Sequence, residues 1–370
     1  MPESLRWGIL GTANINRRIL PGIRAAGHAL SIVGSRDPER GHAAAVEYGA
    51  ERVGTYEDVL AAPDVDAVYI SLPNALHLPW TLRAAEAGKH ILCEKPLAPS
   101  IAECEEMVAA CRQHHVHLVE AFMYRYHPQW DVVRKVVDSG RLGKIRLLRA
   151  TFTFSLHNPQ NIRLSPDLKG GALQDVGCYC INVARWFLGE PTRVRGIASD
   201  LRNVGVDTHS AAVLEFPSGA LAVLSCSFEM TSQQVVEIVG ERGRIEAQTA
   251  FVALGDTRVR IVEGDDDRIE VIPAADPYAL EVKAMARLIR EGVPPLTPAS
   301  DAAATQAVIA AWKRSDGQSL VRADGSIAGG GYLQTSALKQ LDEACRLQLL
   351  VRSQSLRNFK LDPPGSLWRR

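Results

Sequence analysis

The sequence lacks the features that usually mark a membrane protein or a nucleic-acid-binding protein. Its 42 basic and 42 acidic residues give a formal net charge of zero, so electrostatics give no argument for nucleic acid or an anionic membrane as a partner. Its apolar runs fall well short of the roughly 20 residues that a membrane-spanning helix needs. Residues 1–6 have no apolar signal-peptide core and lead directly into an expected strand.

Cysteine is scarce and irregularly placed. The seven cysteines are odd in number and contain no Cys-x-x-Cys pair, which excludes a disulfide framework and predicts reduced thiols in a cytoplasm. Cys178 and Cys180 are close in sequence, but a structural zinc site needs four well-spaced ligands and no second pair accompanies them. We therefore expect no bound metal.

Strand and helix patterns alternate through the first third of the chain. Strands are expected at residues 5–10, 29–34, 67–72, 90–93 and 117–122, with helices in the intervals between them. Short connections between alternating elements predict an α/β fold with a parallel, doubly wound sheet. Right-handed crossovers would place the carboxyl ends of all these strands at one edge, where such sheets bind ligands.

The first expected strand ends in a turn at the position of a Gly-x-Gly-x-x-Gly fingerprint. Gly11 is the only glycine of that pattern present; Ala13 still permits a pyrophosphate near the helix amino terminus, while Asn16 is expected to loosen helix–strand packing. In its βαβ context, the turn predicts a Rossmann dinucleotide-binding domain over residues 1–125. The residues expected at the cofactor here are Gly11, Thr12, Ala13, Asn14 and Ile15.

The end of the second strand bears on which nicotinamide cofactor is bound. NAD-binding folds usually carry an acid there for the ribose hydroxyls, but this chain has Gly34-Ser35-Arg36, with Arg40 one helical turn further on. A hydroxyl and two guanidinium groups suit a 2′-phosphate and favour NADP. Asp37 offers the alternative of reaching a ribose hydroxyl and accepting NAD.

Glu94-Lys95-Pro96 follows the apolar strand at residues 90–93. Proline fixes φ and removes a backbone donor, so the strand must end there in a stiff turn. Lys95 is therefore expected to hold an ammonium group at the ligand-binding edge, with Glu94 beside it. A solvated lysine at the end of a strand is the alternative.

From residue 145 onward the pattern changes to consecutive short strands. They are expected at residues 145–155, 193–199, 209–216, 220–228, 234–239, 243–247 and 259–263, and predict a large, mainly antiparallel open sheet in an α+β domain over residues 126–316. A helix over residues 173–188 can cover one face. The density of Val, Leu and Phe on the other face suggests a partner subunit, while residues 317–370 form an extension with no assigned role.

Several ordered motifs resemble the GFO/IDH/MocA oxidoreductase family. They are the opening turn at residues 8–15, the loop at 73–77, the Glu-Lys-Pro strand at 88–98, the interdomain segment at 120–128 and Gly-Gly-Ala-Leu-Gln-Asp-Val-Gly-Cys-Tyr at 170–179. The resemblance implies catalytic roles for Lys95, Tyr179 and Asp175, and dimers or tetramers formed through the second sheet. It also implies cofactor contacts from Leu72, Pro73, Asn74, His77, Glu94, Lys95 and Arg125.

Some of these residues have other possible roles. Asn74 could instead cap a helix, and Arg125 could instead make an interdomain hydrogen bond. Tyr179 could instead be a core tyrosine with a satisfied hydroxyl. Tyrosine at position 179, where many family members have histidine, resembles dihydrodiol dehydrogenases, NADP-linked xylose dehydrogenases and keto-sugar reductases. This subgroup agrees with the NADP preference inferred from Arg36.

A lysine beside a tyrosine would permit proton transfer during hydride exchange. A nearby ammonium favours the phenolate, so Lys95 is expected to lower the pKa of Tyr179 from its ordinary value near 10. Tyr179 would then give or take the hydroxyl proton, and Asp175 would anchor Lys95 or accept substrate hydroxyls. The expected activity is NADP-dependent oxidoreduction of a pyranose sugar or cyclic polyol; alternatives are a keto-sugar reductase or a cofactor-sensing regulator without turnover.

Overall fold

The computed structural model describes residues 4–315, and its first sheet is parallel throughout. The strands lie in the order β3-β2-β1-β4-β5-β6. β1 to β3 extend the sheet to one side and β4 to β6 extend it to the other, so the strand order switches between β1 and β4. The strands are β1 (Arg6–Leu10), β2 (Ala29–Gly34), β3 (Arg52–Gly54), β4 (Ala67–Ile70), β5 (His90–Glu94) and β6 (Leu118–Ala121). The helices are α1 (Asn16–Ala25), α2 (Pro38–Tyr48), α3 (Tyr56–Ala61), α4 (His77–Glu86) and α5 (Ile101–Gln113).

Local chemistry explains where these elements begin and end. The Asp37 carboxylate accepts hydrogen bonds from two backbone N–H groups at the start of α2, and Pro38 occupies its first turn. Gly49 ends the same helix in the left-handed conformation. All four residues of β4 are buried, as expected of a central parallel strand with both faces covered.

The second half of the described chain forms an eight-stranded sheet. Its strand order is β14-β13-β12-β11-β7-β10-β9-β8, with antiparallel pairing except between β7 and β10, which are parallel. The strands are β7 (Ile145–Ser155), β8 (Arg193–Ser199), β9 (His209–Glu215), β10 (Leu221–Ser227), β11 (Glu229–Gly240), β12 (Gly243–Ala247), β13 (Thr257–Glu263) and β14 (Asp266–Ile272). The helices are α6 (Gln129–Asp138), α7 (Cys178–Leu188), α8 (Pro277–Glu291) and α9 (Ala302–Ser315).

The two faces of this sheet differ in burial. One face packs against α7, whose residues 178–185 are all buried. On the other face, Val213 and Val223 are paired across β9 and β10 and are about two-fifths exposed. Strand alternation explains this arrangement, because every second residue of β9 and β10 points into the core.

The predicted fold class, α/β with a second α+β unit, is confirmed, with local differences. Four elements were not predicted: β3, α3, α6 and β14. β3 and α3 are short, and most residues of β14 are exposed or half-buried. The helix expected from residue 173 begins as a π-helical segment, Leu173–Gly177, before α7. The extension at residues 317–370 lies outside the described residues, as does residue 316. Within residues 4–315, none of the helices has the length and apolar composition required to cross a membrane.

Candidate active site

A cleft of about 460 Å³ lies at the carboxyl edge of the parallel sheet. It joins the turn after β1, the ends of β2 and β4, and one residue from the second half of the chain. Eight residues expected at the cofactor line it: Gly11, Thr12, Ala13, Ser35, Arg36, Arg40, Leu72 and Pro73. Asp37, Tyr56, Ser71 and Ile162 complete the lining; Asp37 was considered as the alternative contact that would allow NAD, and the other three were not predicted.

The turn after β1 depends on Gly11. Its φ of +108° is one that side-chain-bearing residues rarely adopt, and a Cβ there would lie 3.0 Å from Leu72 Cδ2. The fully buried Asn16 side chain donates from Nδ2 to the Gly11 carbonyl oxygen at 2.9 Å. Asn16 therefore holds the turn in place, contrary to the expectation that it loosens the packing.

Groups at the end of β2 fit a phosphorylated ribose. Asp37 Oδ1 accepts the N–H groups of Glu39 at 3.0 Å and Arg40 at 3.1 Å, so this carboxylate caps a helix. The Ser35 hydroxyl donates to the Asp37 carbonyl oxygen at 2.8 Å. With that acid occupied by the cap, Arg36 and Arg40 supply positive charge to the cleft, and this arrangement suits NADP.

Two residues of the first turn lie outside the lining of the cleft. Asn14 Oδ1 accepts a hydrogen bond from Arg17 Nη1 at 3.4 Å, and half-buried Ile15 packs on the hydrophobic core at the start of α1. Their predicted cofactor contacts are not supported by the cleft as the structure forms it.

The His77 ring is fully buried and lies between main-chain carbonyls. Nδ1 is 3.0 Å from the Pro96 oxygen, and Nε2 is 2.8 Å from the Leu72 oxygen. Burial lowers the pKa of His77. Because both ring nitrogens face backbone oxygens, His77 ties the ends of β4 and β5 together, and the geometry does not support the predicted contact with cofactor.

Asn74 and Arg125 also have partners within the protein. Asn74 Nδ2 donates to the Lys169 carbonyl oxygen at 2.8 Å. Arg125 Nη1 donates to Asn182 Oδ1 at 3.2 Å, and its guanidinium lies 3.7 Å from the centre of the Trp186 ring. Arg125 thus makes the hydrogen bond between the two halves that was considered as the alternative, rather than the predicted cofactor contact.

Lys95 meets Asp175 across the two halves of the chain. Lys95 Nζ donates to Asp175 Oδ1 at 2.9 Å and to its carbonyl oxygen at 2.8 Å. Burial alone would lower the pKa of Lys95, but Asp175, Cys178 and Glu94 together outweigh burial and hold that pKa above its ordinary value. The solvated-lysine alternative is therefore wrong, because the side chain is only 11% exposed and carries its charge in a buried ion pair.

Arg163 is a site residue that the sequence analysis missed. Its Nε donates to Asp175 Oδ2 at 2.6 Å, on the oxygen that Lys95 does not use. Burial would raise the pKa of Asp175, but Arg163 and then Lys95 hold it well below the usual range. The one available signal was an arginine upstream of the Gly170-Gly171 pair in the same segment.

Tyr179 lies beside this ion-pair cluster, within a group of aromatic rings. The Lys95 ammonium is 5.1 Å from the centre of the Tyr179 ring, and the Tyr179 hydroxyl donates to Met123 Sδ at 3.8 Å. Phe122 and Phe152 pack on the ring with centroids 5.1 and 5.2 Å away. Burial raises the pKa of Tyr179, so the expectation that Lys95 would lower it is wrong for this arrangement.

Glu94, next to Lys95 in the chain, has a hydrogen-bond partner within the protein. It accepts a hydrogen bond from the buried Tyr69 hydroxyl. Burial raises the pKa of Glu94, although Lys95 opposes the shift. The structure therefore leaves Glu94 half-buried and bonded to Tyr69, and Glu94 is not among the residues that line the cleft. Within residues 4–315, there is no group of three or more His, Cys, Asp or Glu side chains arranged to hold a metal ion.

Comparison with known proteins finds relatives that cover most of the chain. It is 40% identical over 296 residues to D-xylose 1-dehydrogenase (NADP(+)) 2 of Haloferax volcanii, which covers 79% of this chain and 91% of that protein. It is 37% identical over 294 residues to dTDP-3,4-didehydro-2,6-dideoxy-alpha-D-glucose 3-reductase of Streptomyces violaceoruber, which covers 78% and 86%. A 3-ketoreductase from Actinomadura kijaniata, crystallised with NADP and TDP-benzene, superposes with a TM-score of 0.79 at 32% identity over 85% of this chain and 98% of the other.

Family models match both halves. Residues 5–122 match the oxidoreductase family with an NAD-binding Rossmann fold, and residues 130–246 match the GFO/IDH/MocA C-terminal domain. These matches confirm the resemblance inferred from the glycine turn, the Glu-Lys-Pro strand and the Asp175–Tyr179 segment. The chain therefore belongs to the GFO/IDH/MocA family of oxidoreductases.

Proposed function

We propose that the chain is an NADP-dependent oxidoreductase that interconverts a hydroxyl and a carbonyl group on a pyranose sugar or similar cyclic polyol. The observation that carries this proposal is the meeting of Lys95, Asp175 and Tyr179 from distant parts of the sequence. They lie at the edge of the sheet that also holds the cofactor cleft. The xylose dehydrogenase and keto-sugar reductases among the relatives support the substrate class.

NADP is the cofactor that the cleft fits best. The lining would hold it through the Gly11 turn, Arg36 and Arg40, while Asp37 Oδ1 accepts two N–H groups at the start of α2. When bound, the cofactor supplies or accepts the hydride at its nicotinamide ring. The similar xylose dehydrogenase is an NADP(+) enzyme, and the Actinomadura 3-ketoreductase was crystallised with NADP.

Lys95 and Tyr179 have separate tasks in this proposal. Lys95 is charged and aimed by Asp175, so it can donate a hydrogen bond to the substrate oxygen and stabilise negative charge there. Burial keeps Tyr179 in its protonated form, which suits proton donation to that oxygen during reduction. In the oxidative direction, Tyr179 would take the proton when the neighbouring ammonium offsets the charge of the phenolate.

A keto-sugar reductase of a biosynthetic pathway is the second candidate. Such an enzyme uses the same chemistry on a nucleotide-linked sugar, and several relatives are 3-reductases of a dTDP-linked keto sugar. A protonated Tyr179 can serve this reduction as proton donor. A regulator that binds cofactor without turnover is the third candidate, and the presence of the Lys95–Asp175 pair argues against it.

One set of assays distinguishes these candidates. Purified protein is supplied with NADP and a panel of aldoses and polyols, or with NADPH and 3-keto nucleotide sugars, while absorbance of the reduced cofactor is followed. We expect turnover that falls at least about 100-fold in Lys95→Ala and Tyr179→Phe, because general acid–base groups commonly contribute that much. The exposed Lys135→Ala variant is the control and should match the wild type. If the protein bound cofactor but turned over none of the substrates, the enzyme assignment would be refuted.

The open face of the second sheet is our proposed subunit interface. Ile197, Val213, Leu221 and Val223 are each more than two-fifths exposed and occupy neighbouring strands. We propose a homodimer or homotetramer formed through this face, because large exposed apolar patches commonly mark contacts between proteins. Sedimentation should show a Val223→Glu variant dissociating to monomers; a wild type that sediments as a monomer would refute the interface.

Two further assignments belong to the same proposal. The cofactor domain spans residues 1–125 and the substrate domain residues 126–316, with the active site between the two sheets. The six cysteines among the described residues are unpaired and buried, which suits a reducing compartment such as the cytoplasm. Limited proteolysis that released a folded fragment with a very different boundary would contradict the division.

A further inference from the structure

The segment at residues 161–171, which we call the strap, connects the cofactor cleft to the ion-pair cluster. Ile162 lines the cleft, and the next residue, Arg163, binds Asp175. At its other end, the Leu168 and Lys169 carbonyl oxygens accept hydrogen bonds from the backbone of Ala75 and the side chain of Asn74. The strap thus contacts both halves of the chain beside the proposed reaction site.

The strap is folded so that Arg163 is aimed at Asp175. Asn161 Oδ1 accepts the Arg163 N–H at 3.0 Å, and the Arg163 carbonyl oxygen accepts the Gly171 N–H at 2.8 Å. A Cβ on Gly170 would lie 2.3 Å from that carbonyl oxygen, so only glycine permits this close return of the chain. The Gly170-Gly171 pair therefore has a local purpose: it lets the strap turn back against Arg163.

Asp175 divides its two oxygens between two cations. Oδ2 accepts from Arg163 and Oδ1 from Lys95, and the carboxylate is only 14% exposed. With Arg163 present, the cluster carries one net positive charge; without it, Lys95 and Asp175 would form a neutral pair. In a site from which water is largely excluded, a net positive charge stabilises a negatively charged substrate oxygen more strongly than a neutral ion pair does.

We propose that Arg163 is a positioning residue for the reaction: it fixes the Asp175 carboxylate and takes up part of its charge, so that the Lys95 ammonium stays available to the substrate oxygen. This inference rests on the proposed function. It assigns a role to a side chain that the catalytic assignment of Lys95, Asp175 and Tyr179 does not use.

Other charges around Lys95 could set its ionisation. Arg163 lowers the pKa of Lys95, whereas Asp175, Cys178 and Glu94 raise it. Replacement of Arg163 by a neutral residue should therefore shift the alkaline limit of activity upward while lowering the rate. The titratable and charged groups that face Lys95 are His77, Glu94, Glu120, Arg163, Asp175, Cys178 and Tyr179.

The test compares Arg163→Gln with Arg141→Gln, a control that removes an arginine from a surface ion pair with Glu263. We expect kcat of Arg163→Gln to fall about 10-fold or more, with its alkaline limb at higher pH, and KM for NADP to change little. Arg163→Lys should restore part of kcat and keep the wild-type alkaline limb. Thermal midpoints of all variants check folding, and Arg163→Met, which also removes the charge, replaces the glutamine variant if that variant does not fold.

Equal kcat and pH profiles in Arg163→Gln and Arg141→Gln would overturn the inference while leaving the proposed function intact. If the wild type has no turnover with any substrate, the proposed function fails and a second measurement decides the inference. The lysines are methylated with a carbon-13 reagent and titrated by NMR, with the Lys95 signal identified by its loss in Lys95→Arg. A higher Lys95 pKa in Arg163→Gln than in wild type supports the inference, and an unchanged value refutes it.

Discussion

Replacement of Asp175 by asparagine should reveal how much the buried charge cluster contributes to stability. The carboxylate is 14% exposed and receives charge-assisted hydrogen bonds from Lys95 Nζ at 2.9 Å and Arg163 Nε at 2.6 Å. Each such bond contributes on the order of 1.5–3 kcal/mol, and breaking a buried pair leaves uncompensated charge. We expect Asp175→Asn to lower the free energy of unfolding by about 3 kcal/mol at pH 7.

The loss should depend on pH in a definite direction. The folded protein holds the pKa of Asp175 well below its unfolded value of 3.8, so the stabilisation is present above that value and disappears as pH falls through the lower folded pKa. Wild-type and Asp175→Asn stabilities should therefore converge in acid. The convergence would be absent if Asp175 were protonated in the folded protein at neutral pH.

The measurement is urea unfolding of both proteins at pH 7 and in acid, followed by circular dichroism. Asp267→Asn is the matched control, because Asp267 pairs with Arg260 on the surface, where both side chains are substantially exposed. It should lose far less stability than Asp175→Asn. A loss below about 1 kcal/mol for Asp175→Asn would show that the cluster is not acting as a buried ion pair and would refute the reasoning.

Three further variants test other parts of the site. Gly11→Ala should weaken NADP binding, measured by NADPH fluorescence, because the added Cβ meets Leu72 at a φ of +108°; unchanged affinity would show that the turn adapts. Arg36→Gln should raise KM for NADP about 10-fold while leaving KM for NAD nearly constant, and equal effects on both would place Arg36 away from the 2′-phosphate. Burial raises the pKa of Glu120 from 4.5 to about 7. The free energy of unfolding of the wild type should therefore fall by up to about 3 kcal/mol as pH rises from 4.5 to 7. Urea unfolding of Glu120→Gln should not show this dependence on pH.

The sequence predicted the framework of the site because strand ends and helical spacing are local properties. Lys95 follows an apolar strand, so its place at the ligand-binding edge of the sheet could be inferred. Asp175 lies one helical turn before Tyr179, so their place on one face of the helix could also be inferred. The same reasoning placed Gly11 and Arg36 at the cofactor. Both now line a single cleft.

Side-chain direction and burial could not be inferred in the same way. His77 follows the end of a strand, but its two ring nitrogens are taken by carbonyls from separate loops. Arg125 is drawn to Trp186 and Asn182, over 55 residues away in sequence. Arg163 lies in a segment without periodic pattern and reaches Asp175 only because Gly170 lets the chain turn back.

The ionisation of Tyr179 has a consequence for the direction of the reaction. A lone ammonium beside a phenol favours the phenolate. Here the Lys95 ammonium lies over the Tyr179 ring and donates hydrogen bonds to Asp175. Burial raises the pKa of the Tyr179 hydroxyl, which therefore stays protonated. A protonated donor beside a net positive cluster is prepared to receive negative charge on a substrate carbonyl oxygen. Reduction therefore needs no prior change of protonation, whereas oxidation requires Tyr179 to have lost its proton beforehand, so that the phenolate can take the proton of the substrate hydroxyl. Wild-type kcat for oxidation should accordingly rise with pH more steeply than kcat for reduction.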